Sequence, residues 1–197
     1  MKPLRSLGLL GGSFNPVHSG HVLLARHARE ALKLDEVWLV PCAASADGKA
    51  LAPGSLRLRW IKKALRGEEG LKASDLELKR GGVSRTIDTL AELRAKLGPA
   101  VAFTVLLGQD QALNFSGWKG AGRIPGLARL AVFRRPGVSG TPPKNFHATA
   151  VSAPLFEISS SEIRARIRNG KTLNLLLPPA LVRDTELRRA FHKPARH

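Results

Sequence analysis

The chain has 197 residues, 43% of them hydrophobic, which is enough to fill one core and argues against a disordered protein. Its 32 lysine and arginine residues outnumber its 15 acidic residues, and the formal net charge of +17 attracts polyanions such as nucleic acid, an acidic membrane or nucleotide phosphates. The single cysteine, Cys42, excludes an internal disulfide and a cysteine-based zinc site and favours a cytoplasmic protein, and no apolar run is long enough to span a bilayer.

The first part of the chain alternates short apolar segments with helical patterns. Segments 7–10 and 37–40 are strand-like, and residues 21–32 between them have the spacing of an amphipathic helix. A strand, a helix and a strand of this length form a βαβ unit, which requires a parallel sheet and a right-handed crossover. Residues 42–54 are small and interrupted by Gly and Pro, so they predict a loop.

The remaining segments continue this alternation. Apolar or alternating residues predict strands over 74–78, 101–108, 129–137 (with a turn) and 155–158. Helical spacing and terminal signals predict helices over 56–65, 86–98, 159–170 and 178–191, with an irregular connection over 138–149. Ser55 and Ser84 are the expected caps of the first two helices. The sequence therefore predicts an α/β fold over residues 1–197: a single Rossmann-like domain with a doubly wound parallel sheet and helices on both faces.

The turn after the first strand, GGSFNPVHSGH, carries the strongest chemical signal. The glycine pair 11–12 lets the backbone approach a ligand, and the next helix begins near Ser19 or Gly20, so its N–H groups and positive dipole end face the ligand crevice. His18 and His21 lie three residues apart, on the same side of this helix. We expect both rings to border a solvent-filled crevice and to donate hydrogen bonds to phosphate oxygens.

Other interpretations of this turn are weaker. A zinc-protease motif would need a different histidine spacing and a glutamate, and no cysteine cluster is present. The Walker lysine pattern and the three-glycine dinucleotide fingerprint are both absent. Two exposed histidines without a role are the remaining alternative, and their position behind an apolar strand and a glycine bend favours the phosphate site.

The segment ISSSEIR, residues 158–164, predicts a second phosphate contact. Ser159 or Ser160 caps the helix that starts here, and the same hydroxyl and amide groups can hold phosphate oxygens. Arg164 lies one turn further and can reach the same anion with its guanidinium. Alone this is more often a capped basic helix, so the phosphate interpretation requires this segment and the first turn to converge in the fold.

These two motifs resemble those of the nucleotidyltransferase superfamily of adenylyl-transferring enzymes. Middle segments narrow the resemblance to bacterial nicotinate-mononucleotide adenylyltransferases: ELKRGGVSRTIDTL (77–90), LLGQD (106–110) with Trp118 eight residues later, FRRPG (133–137) and LLP (176–178). The resemblance implies transfer of AMP from ATP, accompanied by Mg²⁺, to nicotinate mononucleotide. On this resemblance, deamido-NAD and pyrophosphate are expected to form without a covalent enzyme intermediate. We expect the enzyme to be a monomer or small homo-oligomer.

The resemblance also implies roles for individual residues. The implied catalytic residues are His18, His21 and Arg164. The implied ATP-binding residues are Gly11, Gly12, Ser13, Phe14, His18, Gly20, His21, Gly108, Asp110, Ile158, Ser159, Ser160 and Arg164, with Gly108 and Asp110 along the ribose; a helix cap is the alternative role of Asp110. The implied mononucleotide-binding residues are Asn15, Lys49, Arg85, Thr86, Trp118 and Arg134. Trp118 would stack on the pyridine ring, and the backbone near Arg85 and Thr86 would receive the nicotinate carboxylate.

The acceptor side departs from this family pattern. Loop 42–54, which is expected to cover the mononucleotide, lacks the usual Pro-Pro-His-Lys stretch, and Lys49 is its positional substitute. Arg85 stands where an aromatic residue is usual, and the chain has no tyrosine. Two alternatives therefore stay open: the same chemistry on nicotinamide mononucleotide or phosphopantetheine, and a catalytically silent basic homologue that binds nucleic acid. No recognised nucleic-acid-binding motif in the sequence supports the nucleic-acid-binding alternative.

Overall fold

In the part of the chain that the structure describes, six parallel strands form the centre of the fold. The structure is a computed structural model and describes residues 3–134, 148–151 and 157–192. The strands are β1 (Ser6–Gly12), β2 (Glu36–Pro41), β3 (Leu71–Ala73), β4 (Ala102–Gly108), β5 (Ala128–Phe133) and β6 (Thr149–Val151). They are ordered β3-β2-β1-β4-β5-β6, and every pairing is parallel. This is the doubly wound order, with its reversal between β1 and β4, so the predicted fold class is confirmed.

Within the described ranges, eight helices connect and flank the strands. They are α1 (Ser19–Ala31), α2 (Gly54–Ala64), α3 (Leu76–Arg80), α4 (Thr86–Leu97), α5 (Gln109–Leu113), α6 (Ser160–Arg168), α7 (Pro179–Val182) and α8 (Thr185–Phe191). Short 3-10 turns lie at Phe115–Gly117 and Ala121–Gly126. None of the helices described here has the length and apolar character needed to cross a membrane.

Two apolar layers cover the two faces of the sheet. Leu9 and Leu10 are neighbours in β1 and belong to different layers, as the two-residue repeat of a strand requires. Ala25 of α1 and Trp60 of α2 pack on the Leu10 side, and Leu90 of α4 packs on the Leu9 side. The two faces are therefore both covered by helices, and the ligand crevice is left at the carboxyl ends of the strands.

The prediction of a strand over 74–78 is wrong. β3 ends at Ala73, and the next residues form α3, which buries the consecutive pair Leu76 and Glu77. The Glu77 carboxylate is buried because it accepts a hydrogen bond of 2.6 Å from the hydroxyl of Thr89. Because a polar residue, Glu77, stands on the buried side of α3 between two leucines, the sequence of this short helix alternates between polar and apolar residues as a strand does.

Both predicted serine caps are also wrong. Ser55 lies inside α2, whose N-cap is Pro53. Arg85 is the N-cap of α4, because the hydroxyl of Ser84 instead accepts a hydrogen bond of 2.9 Å from the backbone N–H of Ala43. A contact between distant loops has therefore replaced the local cap.

The last strand lies earlier than predicted. β6 begins at Thr149, the last residue of the segment expected to be an irregular connection (138–149), and continues to Val151. Residues 138–147 of that segment lie outside the described residues, as do residues 135–137 of the predicted strand and turn 129–137. Of the predicted strand 155–158, Glu157 and Ile158 are not in a strand, and the two preceding residues also lie outside the described part.

The predicted terminal helix over 178–191 is two helices, because Asp184 starts a new one. Its Oδ1 accepts a hydrogen bond of 2.8 Å from the backbone N–H of Leu187, and its Oδ2 pairs with Lys63 of α2. Burial of this carboxyl raises its pKa, but the contacts with Lys63 and Leu187 outweigh that effect and hold the pKa below its ordinary value. Asp184 therefore both caps α8 and ties it to α2.

Replacing Asp184 with alanine is expected to lower the free energy of unfolding by roughly 1 to 3 kcal/mol, since the cap and the ion pair are both lost. Because the pKa of Asp184 is depressed in the fold, its contribution is present above its ordinary pKa of 3.8 and is lost as the pH falls through the lower folded value. Urea unfolding over a pH series measures this loss. The control Glu186→Ala removes an exposed ion pair with Arg59 and should cost less than about 1 kcal/mol. Equal losses in the two variants would contradict the role of Asp184.

Candidate active site at the carboxyl ends of β1 and β4

The candidate site lies where the strand order reverses. β1 ends at Gly12 and is followed by the N-terminal loop, residues 13–18, which leads into α1. β4 is paired with β1 and ends at Gly108, where α5 begins. In doubly wound sheets the crevice between two such neighbouring connections holds the ligand.

The N-terminal loop is a tight turn built around Phe14. This buried residue has a φ of 45°, in the left-handed region that side chains other than glycine rarely adopt. A Cβ on Gly12 would lie 3.3 Å from the Phe14 ring, so glycine fits at this position, whereas a Cβ on Gly11 would meet nothing within 4 Å. The position of Gly11 thus leaves space at the end of β1.

The two histidines stack at the start of α1. His18 is the N-cap and His21 is the third residue of the helix, and their ring centroids are 3.7 Å apart. The His21 ring also packs edge to face against the ring of Phe14, with centroids 4.9 Å apart, and this contact fixes its orientation. Nδ1 of His21 accepts a hydrogen bond of 3.2 Å from the backbone N–H of His18. The proton of a neutral His21 is therefore on Nε2, the nitrogen that can donate to a ligand.

The prediction that both rings border solvent is wrong for His18. His18 is only 6% exposed, while His21 is partly exposed. Gly20 closes over the His18 ring, and a Cβ at this position would lie 3.1 Å from Nδ1 of His18. His18 therefore contributes to the packing of the protein as well as lining the crevice. A substitution of His21 should disturb the fold less, so His21 is the better position for testing the role of the histidines.

The start of α6 lies against the N-terminal loop. Ser160 donates a hydrogen bond of 2.8 Å from its hydroxyl to the carbonyl oxygen of Pro16. Nη1 of Arg164 donates another of 2.8 Å to the carbonyl oxygen of Asn15. Ile158 comes close to Gly20, since a Cβ built there would lie 3.7 Å from the Cβ of Ile158. The two motifs that had to converge are therefore neighbours in the fold.

Arg164 is a cation in a basic part of this site. Ser159 caps α6 as predicted, accepting a hydrogen bond of 3.1 Å from the N–H of Glu162. Nη2 of Arg164 donates to the hydroxyl of Ser161 at 3.0 Å, and no carboxylate in the described part of the chain pairs with this guanidinium. Burial first, and the charge of Arg168 second, lower the pKa of Arg164. Both effects disfavour an uncompensated cation, so an anion bound here would stabilise it.

The loop after β2, residues 42–53, lies beside the N-terminus of α4. Ala44 forms a parallel bridge with Val83, and its N–H donates to the carbonyl oxygen of Gly82 at 3.2 Å. This contact brings the loop next to Arg85, which is exposed, and to Thr86, the first residue of α4. The first N–H groups of a helix have no partner within the helix, so this end can receive an anion.

Two predicted acceptor residues in this region have other partners. Lys49 is exposed and pairs with Asp47. Hydrogen bonds from Lys49 and then from Ser45 lower the pKa of the Asp47 carboxyl to about 2. Asn15 is buried, and its Oδ1 accepts a hydrogen bond of 3.0 Å from the N–H of Ala52. The side chain of Asn15 thus holds the loop after β2.

The other predicted residues lie around β4 and β5. Gly108 is the N-cap of α5, so Asp110 in the first turn is not the cap. A Cβ on Gly108 would lie 2.7 Å from Oδ1 of Asp110, which shows how closely this carboxylate approaches the end of β4. Trp118 is partly buried against Phe115, with ring centroids 5.2 Å apart. Arg134 is exposed just beyond the end of β5.

A further residue at the site, Arg57, was not predicted from the sequence. It is 1% exposed, and its guanidinium donates to backbone carbonyl oxygens of three separate segments around the crevice. A signal for it is present in α2, because Arg57 shares the buried face with Trp60, Ile61 and Ala64 at helical spacing. An arginine on an apolar stripe indicates a buried polar role rather than a solvated basic face.

Comparisons with known proteins agree on the family. The model of the cytidylyltransferase-like family matches residues 9–166. A "Probable nicotinate-nucleotide adenylyltransferase" of Halalkalibacterium halodurans is 38% identical over 178 residues, which cover 89% of this chain and 86% of the relative. A protein of the same name from Shouchella clausii is 36% identical over 192 residues, which cover 95% and 97%.

A solved structure shows the same fold. It is described as "Plasmodium falciparum nicotinic acid mononucleotide adenylyltransferase complexed with NaAD" and has a TM-score of 0.77 at 20% identity, covering 90% of this chain and 93% of that one. The resemblance drawn from the two motifs is therefore confirmed by relatives that span most of the chain. The chain belongs to the cytidylyltransferase-like family and, within it, to the nicotinate-nucleotide adenylyltransferases.

Proposed function

We propose that the protein transfers AMP from the Mg²⁺ complex of ATP to the phosphate of nicotinate mononucleotide, forming deamido-NAD and releasing pyrophosphate. The observation that carries this proposal is the convergence of the histidine pair and the start of α6 on one loop at the reversal of the sheet. The names of the relatives and the NaAD complex of the solved structure support the choice of acceptor.

The reaction asks the protein to position two anions and to stabilise charge. A phosphate oxygen of the mononucleotide attacks the α-phosphorus of ATP, the bond from that phosphorus to the bridging oxygen breaks, and pyrophosphate leaves with the bonding electrons. No proton has to move and no enzyme group becomes covalently bound. Catalysis therefore comes from alignment and from donors that face the reacting phosphate.

The ATP side is assigned to the N-terminal loop, α1 and α6. Nε2 of His21 donates to a phosphate oxygen near the reacting phosphorus, and His18 lies beside it at the helix N-terminus. The first turn of α1 contains no acidic residue, so the positive end of the helix faces the phosphates without a competing carboxylate. Ser159, Ser160 and Arg164 hold the triphosphate from the other side, and Gly11 leaves it room.

Mg²⁺ belongs to the substrate in this proposal. The described residues include no group of three or more His, Cys, Asp or Glu side chains arranged to hold a metal ion. Phosphate oxygens and water are ordinary ligands of Mg²⁺ at nucleotide sites, so the ion enters with ATP and neutralises part of its charge.

The acceptor side is assigned to α4 and the segments around it. Gly120 packs against Ile87 of α4, where a Cβ would lie 3.2 Å from Ile87 Cγ1, and this places the Trp118 turn beside the start of the helix. The N–H groups near Arg85 and Thr86 receive the nicotinate carboxylate, and Trp118 stacks on the pyridine ring. In the same proposal, Gly108 and Asp110 contact the ribose, and Lys49 and Arg134 bind the phosphate of the mononucleotide.

A comparison of acceptors tests the proposed function. With ATP and Mg²⁺, nicotinate mononucleotide is expected to give a kcat/KM at least about tenfold higher than nicotinamide mononucleotide or phosphopantetheine, which corresponds to about 1.4 kcal/mol for the carboxylate at the cationic start of α4. Release of pyrophosphate measures the rate. Equal rates with the nicotinate and nicotinamide forms would contradict the assigned acceptor, and the absence of pyrophosphate with every acceptor would contradict adenylyl transfer.

A further inference from the structure

Arg57 joins three backbone segments at the edge of the candidate site. Nε donates to Ala52 at 2.8 Å, Nη1 to Ser13 at 2.9 Å, and Nη2 to Cys42 at 2.8 Å, with Ala43 at 3.4 Å; each acceptor is a carbonyl oxygen. Ser13 follows β1, Cys42 follows β2, and Ala52 precedes α2. One guanidinium therefore connects the N-terminal loop with both ends of the loop after β2.

The arginine is retained here at an energetic cost. It is buried on the apolar face of α2, and no carboxylate in the described ranges forms an ion pair with it. Burial lowers the pKa of Arg57 below its ordinary value, which reflects this cost. An apolar side chain would fill the same space without the loss of hydration, but it would leave the carbonyl groups without donors. The arginine is thus explained by the segments it joins.

Ala52 shows that the loop after β2 is held on both sides. Its carbonyl oxygen accepts from Arg57, and its N–H donates to Oδ1 of Asn15 in the N-terminal loop at 3.0 Å. The N-terminal loop has further anchors, since Ser160 and Arg164 of α6 bind its carbonyl groups. Three of the four hydrogen bonds of Arg57 go to the loop after β2 and one goes to the N-terminal loop, so loss of Arg57 should loosen the loop after β2 more than the N-terminal loop.

We propose that Arg57 is a positioning residue of the transfer reaction, which fixes the loop after β2 against the N-terminal loop and so sets the acceptor relative to ATP. This inference rests on the proposed function, in which the two loops serve the two substrates. Arg57 also lines a pocket of about 300 Å³ with Ser45, Lys49 and Ala52, so its position shapes the wall of the acceptor side. In-line transfer depends on the relative placement of two phosphates, and a displacement of about 1 Å can cost a hundredfold in rate.

Variants at position 57 test this role in the full chain. Arg57→Lys keeps the charge, but one ammonium cannot reach carbonyl groups in three directions, and Arg57→Met removes all of these bonds while keeping an unbranched stem. Both variants are expected to raise the KM for nicotinate mononucleotide by about tenfold and to lower kcat, with the KM for ATP changed by less than about twofold. The control is Arg59→Met, which removes an exposed arginine of the same helix and should leave all three constants unchanged.

Hydrogen exchange provides a measurement that does not depend on turnover. Peptides from residues 42–53 are expected to exchange faster in Arg57→Lys than in the unmodified protein, while peptides from α4 keep their rates. Unchanged exchange of 42–53, or equal proportional changes in both KM values, would overturn the proposal. If Arg57→Met does not fold, Arg57→Lys decides the outcome. Failure of the unmodified protein to use nicotinate mononucleotide would refute the proposed function, and the exchange experiment would still decide whether Arg57 holds the loop.

Discussion

Replacing His21 with alanine is expected to lower kcat for pyrophosphate release by about a hundred- to a thousandfold, the range found when one donor to a developing oxyanion is removed. The reason lies in the hydrogen bond from the N–H of His18 to Nδ1, which leaves the proton of His21 on Nε2. His21 is partly exposed, and the variant loses one hydrogen bond and the ring contacts with Phe14 and His18. We expect the free energy of unfolding to fall by only about 1 kcal/mol.

One further variant distinguishes the roles of Nδ1 and Nε2 of His21, and a second variant serves as its control. His21→Asn keeps an acceptor near the position of Nδ1 and lacks a group at Nε2, so it should be more stable than His21→Ala, because it keeps the hydrogen bond from the N–H of His18, and as inactive as His21→Ala. His27→Ala is the matched control, since it removes a histidine from the same helix beyond the first turn. Steady-state kinetics and thermal unfolding are measured for all three. An active His21→Asn variant would contradict the role of Nε2.

The parts of the fold that could be predicted are those in which local pattern and burial agree. β4 is buried on both faces and is continuously apolar, and α1 buries Val22, Ala25 and Ala28 at helical spacing. The prediction failed at α3 because Glu77 is buried by a hydrogen bond to Thr89, twelve positions away. It failed at the cap of α4 because Ser84 binds a distant N–H.

The same division holds at the candidate site. The histidine pair and the start of α6 could be predicted, because each is a helix start whose chemistry is contained in a few consecutive residues. Burial of His18 could not be predicted, since it depends on Gly20 and on the close approach of α6. The partners of Arg57 are backbone carbonyl groups brought together by tertiary folding. Every residue has such a group, so the amino-acid sequence does not show which of them Arg57 binds.

Arg164 is the second position where a large effect is expected. Its Nη1 and Nη2 bind the carbonyl oxygen of Asn15 and the hydroxyl of Ser161, which fixes the guanidinium plane at the crevice and leaves further N–H groups of the fork for phosphate oxygens. Arg164→Ala is expected to lower kcat/KM for ATP by about a hundredfold, because a charge-assisted contact that strengthens as the phosphate develops charge is removed. Steady-state kinetics with ATP as the varied substrate measure this loss.

Two arginine variants on α6 distinguish a geometric role for Arg164 from a general effect of positive charge. Arg164→Lys keeps the charge but cannot bind Asn15, Ser161 and a phosphate together, so it should recover only part of the lost kcat/KM. Arg168→Ala removes an exposed cation one turn further along the helix and should change kcat/KM by less than about threefold, since exposed charges are screened by solvent and salt. If Arg168→Ala were as impaired as Arg164→Ala, the basic surface as a whole would attract ATP. Full activity of Arg164→Lys would show that charge alone suffices at this position, and the bound geometry of the guanidinium would then have no part in the reaction.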